Sequence, residues 1–411
     1  MLPTIGRMNR TVKIAARFDS TSTRRIGTTA AACVLCAALL GSVGSAQRQP
    51  APSTFAPVLQ IEPPAQALPS EVDSAAITRF SFIAYGDTRS QVDGRVLQPD
   101  HAVVIDRMLS KIQELASTPF PVRFVLHSGD AVTRGTDASQ WNVSFAPLVE
   151  KLTRGAGVSY FYSVGNHDEP GGDSGRVGLH NALGAVSRLI APEGSPRRLN
   201  GFLTYAFGYA NLFVIVIDSN IASDEVQLAW VTDQLEHLDR GRYRHVVALF
   251  HHPMLSSGPH GGSSPDPAVQ NNRDDDVEPA TGAMRTLYGP LFRRHHVPVT
   301  ITGHDHLYEH WVERYRDTAG RYRIDHLVTG GGGAPIYTYR GEPDVQAYLA
   351  AGAAQNVRLD HLLRPGVTSA QNPHHFVVVR VDGDRLSLEV VGTGPTEFKP
   401  YSGRSGVALG N

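Results

Sequence analysis

Asp87, Asp130, Asn166, His251, His304 and His306 stand in five short turn sequences that follow one another along the chain: GDTR, SGDAV, GNHD, FHHP and GHDH. Together they offer carboxylate oxygen, amide oxygen and imidazole nitrogen. That mixture suits borderline first-row metals of the Fe, Zn or Mn class, whereas calcium takes oxygen alone. One zinc-like ion needs about four ligands, so six donors make a set for two ions that share a bridging carboxylate. Two ions ~3.5–4 Å apart clamp a phosphoryl group and bring the pKa of a bound water toward ~7. Phosphate-ester hydrolysis gains from that arrangement, because charge on the phosphoryl oxygens must be neutralised during in-line attack. Taken singly, an aspartate after a strand is turn or helix-cap chemistry. It is the ordered set of five turns that speaks for metal.

Donors so far apart in sequence meet only if the chain gathers them. RFSFIAY (79–85), PVRFVLH (121–127), VSYFYSV (158–164), RHVVALF (244–250) and VPVTIT (297–302) are apolar, β-branched or aromatic runs that read as strands, and each ends at one of the five turns. In α/β sheets ligands bind in the crevice beyond the carboxyl ends of the strands, which is where these turns converge. NLFVIVIDS (211–219) is a further buried strand. Residues 101–116 repeat apolar positions three and four apart, the helical signature, QWNVSFAPLVEKL reads as helix, and Ser223 is placed to cap a helix over 224–238. HWVERYR, RIDHLVTG, HHFVVVRVDG and RLSLEVVG follow as short runs suited to antiparallel pairing.

In order and spacing the five turns resemble the motif blocks of the calcineurin-like metallophosphoesterases, and GHDHLYEH and IDHLVTGGGGAP resemble the purple acid phosphatase branch. The resemblance covers residues 79–394. It implies an α/β (α+β) fold, a four-layer αββα sandwich of two mixed β-sheets flanked by helices. It implies two metal ions per chain, with Asp87 on the first ion, Asp130 bridging both and Asn166 on the second through its amide oxygen. The family's ligand histidine in the fourth block lies two residues before proline, which selects His251 over His252. His304 then completes the second site and His306 the first. His167 contacts the substrate phosphate or protonates the leaving oxygen, with Asp168 orienting it. The activity implied is hydrolysis of a small-molecule phosphate ester by metal-activated hydroxide, without a covalent enzyme intermediate. Monoester and diester substrates, the latter nucleotides or lipid head groups, both remain open at this level. So does a metal-binding protein that turns nothing over.

Two positions depart from the family pattern. Many members carry histidine two residues after the first aspartate, where this chain has Arg89. A guanidinium stays protonated and cannot ligate a cation, but it can bind a phosphate oxygen, and the first site is left the looser of the two. Purple enzymes carry tyrosine three residues after the bridging aspartate, where this chain has Thr133. Without a phenolate on iron the protein is expected to be colourless.

Other polar residues read more simply. His252 belongs to packing or to the surroundings of the ligands, His127 is a core histidine or a residue that orients a ligand, and Asp305 is structural. Gly330–Gly333 lack the following helix and the Lys-Ser/Thr pair of a phosphate loop and read as turns needing positive φ. The polar run 254–279 begins just after His251 and is expected to overhang the site, with Asp274–Asp276 a solvated tip.

The chain has 411 residues and a formal net charge of −1, so no basic surface argues for a nucleic-acid partner. Residues 1–46 join a basic stretch to a short apolar segment ending in Gly44-Ser45-Ala46, the pattern of an export signal and too short for a comfortable membrane span. Both cysteines, Cys33 and Cys36, lie inside it. The expected organisation is signal 1–46, a Pro/Ala-rich tether 47–76, a metallophosphoesterase domain 77–396 and a tail 397–411. The expected location is periplasmic or extracellular, with no stable membrane span once the signal is cleaved.

Overall fold

The computed structural model describes residues 57–89, 97–189, 191, 197–262, 277–394 and 407–410. The export signal, the first part of the tether, the acidic tip at 274–276 and most of the tail lie outside them.

Two mixed sheets carry the fold. The first has the order β14 (Val407–Leu409), β13 (Arg385–Gly392), β12 (His375–Asp382), β1 (Arg79–Tyr85), β2 (Val122–His127), β3 (Ser159–Tyr162). The second has the order β11 (Arg358–Leu363), β9 (Tyr308–Arg316), β10 (Arg321–Thr329), β8 (Val299–Thr302), β7 (His245–Leu249), β6 (Leu212–Val216), β5 (Tyr205–Tyr209), β4 (Arg197–Arg198). The strands that lead to the five turns run parallel within their sheets: β1 with β2, β2 with β3, and β7 with β8. Their carboxyl ends therefore share an edge. The later runs pair antiparallel as read from sequence, β9 with β10 and β12 with β13.

Side-chain alternation sorts the core into layers. On β1, Phe80, Phe82 and Ala84 face the second sheet, meeting Phe207, Val214, Val247 and Ile301 in one apolar cluster. Ile83 and Tyr85 face the other way, onto Val104, Ile105 and Met108 of the helix Pro99–Ala116 and Trp141 and Phe145 of the helical run 138–155. On β6 and β7, Phe213, Ile215, Val246 and Ala248 point outward to Val231 of the helix Glu225–Glu236 and to Met284, Tyr288 and Phe292 of the run 279–294. A strand with apolar residues on both faces has to be covered on both, and the four layers follow. Each fully buried aromatic contributes about 2 kcal/mol to that packing.

Several boundaries differ from the sequence reading. Residues 57–76 are not a free tether: Ile61 is fully buried, its N–H donates to the Ala185 carbonyl at 2.8 Å, Glu71 pairs with Arg197 at 2.6 Å, and Ser74 Oγ accepts from Ala210 N at 3.0 Å. The tail returns as β14, pairing antiparallel with β13 through alternating buried Val407 and Leu409. The cap of the helix Glu225–Glu236 is Asp224, whose carboxylate accepts from Gln227 N, rather than Ser223. Of Gly330–Gly333 only Gly333 has positive φ. Gly331 is instead required because a Cβ there would strike the His375 ring. Among the described residues no helix is long and apolar enough to cross a membrane.

Candidate metal centre

The five turns are stitched to one another before any side chain is considered. Asp87 N donates to Gly129 O (2.9 Å), Ser163 N to His127 O (2.8 Å) and Gly303 N to His251 O (3.1 Å). Across the two sheets, His304 N donates to Asp87 Oδ2 at 2.9 Å. Asp87, Asp130 and His304 take the left-handed backbone, with φ of 59°, 57° and 70°, a conformation uncommon outside glycine. A reversal of that kind directly after a strand turns the side chain back over the sheet edge. The adjoining glycines make room: a Cβ on Gly165 would collide with Asp130, and one on Gly303 with Asp87.

Three turns of the first sheet deliver Asp87, Asp130 and Asn166, the oxygen donors. Two turns of the second deliver His251, His304 and His306, the nitrogen donors. All six predicted ligands come together. His251 Nε2 lies 3.0 Å from Asn166 Oδ1, 3.2 Å from His304 Nδ1 and 3.4 Å from Asp130 Oδ1. Asp87, Asp130 and His306 offer ligand atoms within 4.8 Å of one another. Among these, His306 Nε2 and Asp87 Oδ1 are 3.6 Å apart.

The outer nitrogens fix the tautomers. His251 Nδ1 lies 2.9 Å from the Ser128 carbonyl, which can only accept, so Nδ1 carries the proton and Nε2 a lone pair. His304 Nε2 donates to Glu278 Oε2 at 2.8 Å, leaving its lone pair on Nδ1. Burial pushes His251 down to about 3, and it lowers His304 as well, so both rings are neutral at pH 7. His251 Nε2, His304 Nδ1 and Asn166 Oδ1 are then acceptors facing acceptors, a geometry completed by a cation. The residues fit a metal at this set.

Charge is distributed unevenly. Burial and the charge on Asp130 hold Asp87 well above the usual carboxylate range. Burial also opposes ionisation of Asp130, but His251, His167, Arg89 and the N–H of His167 together keep it well below that range. With His251 neutral, the permanent cation among these is Arg89. Its Nε donates to Asp130 Oδ2 at 3.0 Å.

His167 is half-buried at the rim, and its Nδ1 lies 2.9 Å from the Thr133 carbonyl. That contact fixes the ring and leaves Nε2 as the nitrogen able to hold or pass a proton. Asp168 does not orient it. Its carboxylate accepts from Tyr162 OH (2.6 Å), Gly165 N (3.0 Å) and Val132 N (3.2 Å), and burial raises it to about 7. Consecutive residues of a tight turn point in different directions, and Asp168 points inward to clamp the turn. His127 is fully buried and accepts from Gly129 N, a core role. Asp305 takes the His260 N–H at 3.2 Å, and His252 Nδ1 meets Ser219 Oγ at 2.8 Å.

Sequence reading missed Glu278 and His260. Glu278 ends the long polar run and also meets His260 Nδ1 at 2.9 Å. With His252 and His304 it forms a second group whose ligand atoms lie within 4.8 Å. The one local signal was its place before Pro279, at the start of the helix Pro279–Ala283, and that signal says nothing of metal.

The model of the family described as calcineurin-like phosphoesterase matches residues 82–308, more than half of the chain. Among solved structures, the chain is similar to the purple acid phosphatase PPD1 of yellow lupin (Lupinus luteus) at 18% identity and TM-score 0.52, over 79% of this chain and 53% of that one. The chain thus spans about half the length of the lupin protein. Weaker likenesses are to GAP50, the anchor in the inner membrane complex of Plasmodium (14% identity, TM-score 0.47, 78% of this chain and 86% of that one), and to PhoD (12% identity, TM-score 0.44, 78% and 68%). No curated protein matches the chain.

Proposed function

Because the chain belongs to the calcineurin-like phosphoesterases, metal-dependent hydrolases of phosphoric esters, we propose that it is an exported enzyme that cleaves small phosphate monoesters at the edge where the two sheets meet. The observation that carries the reading is the convergence of two further lone pairs on that of His251 Nε2, Asn166 Oδ1 at 3.0 Å and His304 Nδ1 at 3.2 Å. A protein has no reason to oppose three acceptors in a buried cleft unless a cation joins them.

Asp130, Asn166, His251 and His304 would hold the metal, and Asp87 and His306 flank it on the far side of Asp130. Bound there, the metal supplies Lewis acidity toward a phosphoryl oxygen and a lowered pKa for its water. The protein's own groups do the rest. Asp130 keeps its charge and fixes the donors of both sides. His167, its ring anchored by Thr133, presents Nε2 to protonate a departing alkoxide. Arg89 adds a permanent positive charge beside the carboxylates, which favours a dianionic monoester over a monoanionic diester. The metal-reconstituted protein should therefore hydrolyse para-nitrophenyl phosphate faster than bis-para-nitrophenyl phosphate. The reverse preference would move the reading to a phosphodiesterase.

Export rests on the basic and apolar pattern of residues 1–46. Cell fractionation and mass measurement of the recovered protein test it; a full-length chain confined to the cytoplasmic fraction would overturn it.

A further inference from the structure

Arg89 is the residue that least fits a two-metal centre, and its contacts state why. Nε donates to Asp130 Oδ2 at 3.0 Å, and Nη2 lies 3.2 Å from His306 Nε2. The other nitrogen of His306, Nδ1, lies 2.7 Å from the Pro335 carbonyl. A carbonyl only accepts, so Nδ1 carries the proton and Nε2 receives its hydrogen from Arg89. Tyr337 stacks on the His306 ring, with centroids 4.1 Å apart and planes 18° from parallel, and is itself a hydrogen-bond partner of Arg89. Asp130 Oδ2 and His306 Nε2 are the atoms through which the first set would bind its ion. Both already face a cation.

We propose that the Arg89 guanidinium takes the place of the first metal, so that this chain works with a single ion held by Asp130, Asn166, His251 and His304. The inference rests on the phosphoesterase reading of the same cleft and narrows it. The exchange is chemically coherent. A guanidinium is permanently charged, and its planar fork of N–H donors satisfies a carboxylate oxygen and an imidazole lone pair together. At 15% side-chain exposure it is largely withdrawn from solvent, beside an Asp130 that is 1% exposed, so the pair is weakly screened. A divalent ion entering the first set would have to displace Arg89 from both partners and leave its charge in the cleft. At the other set no such donor stands, among the described residues, on His251 Nε2 or His304 Nδ1, which face one another at 3.2 Å.

The test is a count of ions. The native chain is loaded with excess Zn, Mn or Fe(II), desalted, and measured by elemental analysis and calorimetric titration beside Arg89→His and Arg89→Ala, each checked for folding by circular dichroism. The expected result is one tightly held ion per native chain and two per Arg89→His chain, whose new imidazole supplies a ligand. Arg89→Ala should gain a second, weaker binding step. Two tight ions in the native chain, with phosphatase activity intact, overturn this inference and leave the phosphoesterase reading standing. No transition metal at all in the native chain overturns both. The native count decides the matter even if a variant fails to fold.

Discussion

At one end of the cleft, Asp130 Oδ2 and His306 Nε2 receive the N–H groups of Arg89. At the other, His251 Nε2, His304 Nδ1 and Asn166 Oδ1 oppose one another without a proton between them, while a carboxylate, Glu278, holds the far nitrogen of His304. The two ends hold similar donor atoms raised on neighbouring turns, all buried except the partly exposed Asn166. Their difference lies in the partner that completes them, a built-in cation on one side and an outer carboxylate on the other. Ligand identity alone therefore does not say how many ions a site of this kind holds. The hydrogen inventory around the ligands does.

The largest effect should come from the residue the two ends share. Asp130→Ala is expected to remove metal uptake and reduce turnover of para-nitrophenyl phosphate to background, a loss of roughly 10³-fold or more. An Asp130→Ala protein with near-native rates would end the account of the cleft.

Next, the two ends should respond differently to loss of a histidine. His251→Ala is expected to lose the ion. His306→Ala should keep it and lower the rate more modestly, about 10-fold, by freeing Arg89 on one side. Equal ion loss in both variants would erase the distinction.

Glu278→Gln should weaken metal affinity by about 10–100-fold, the usual consequence of removing an outer carboxylate from a ligand histidine. Competition with a chelator measures it. An unchanged dissociation constant would make Glu278 a loop anchor only.

Acid should sharpen the comparison further. Burial lowers His251 to about 3 and His127 well below its ordinary value, so in the folded chain these rings stay neutral where free histidines charge. Because the unfolded chain binds the extra protons, this stabilisation is complete above pH 6.5 and declines as pH falls from there toward the folded values. The loss is about 1 kcal/mol for each such ring per pH unit. Asp168, raised to about 7 by burial, acts with the opposite sign over the same range, so the histidine part is read against a variant. Metal-free native protein should lose more stability between pH 7.5 and pH 5 than metal-free His251→Gln. Equal losses in the two chains would contradict a buried neutral ring at His251.

The smallest expectation is optical. With Thr133 in the tyrosine position, the iron-loaded protein should show no violet charge-transfer band, and such a band persisting in Thr133→Ala would require a different phenolate.

Much of this was legible in the chain because strand ends advertise themselves. Phe80, Phe82, Phe124, Val247 and Ile301 are β-formers in alternating or continuous apolar runs, and the polar residues that interrupt them fall at the edge where ligands bind. The α/β character and the convergence of the polar turns were legible in that pattern, while the four-layer sandwich and the choice of the six ligands came from the resemblance to the phosphoesterase motif blocks. Glu278 was not legible, since it lies on a polar loop whose return to His304 depends on packing far from it in sequence. Asp168 misled for the opposite reason: adjacency to His167 suggested cooperation, while the turn sends the two side chains apart. Ile61 was hidden in a proline-rich stretch whose composition resembles a spacer. Only the groove beside the helix Gly172–Val186 reveals it as an anchor.

The left-handed backbone at Asp87, Asp130 and His304 sets durability against reactivity. Glycine at position 87 would relax a conformation that costs about 1 kcal/mol and would remove the carboxylate that burial and Asp130 hold well above its usual range. A chain so altered should be the sturdier object and the slower catalyst. Breeding this protein for heat resistance alone would thus tend to erase Asp87 first, and any such campaign has to screen for turnover at every round.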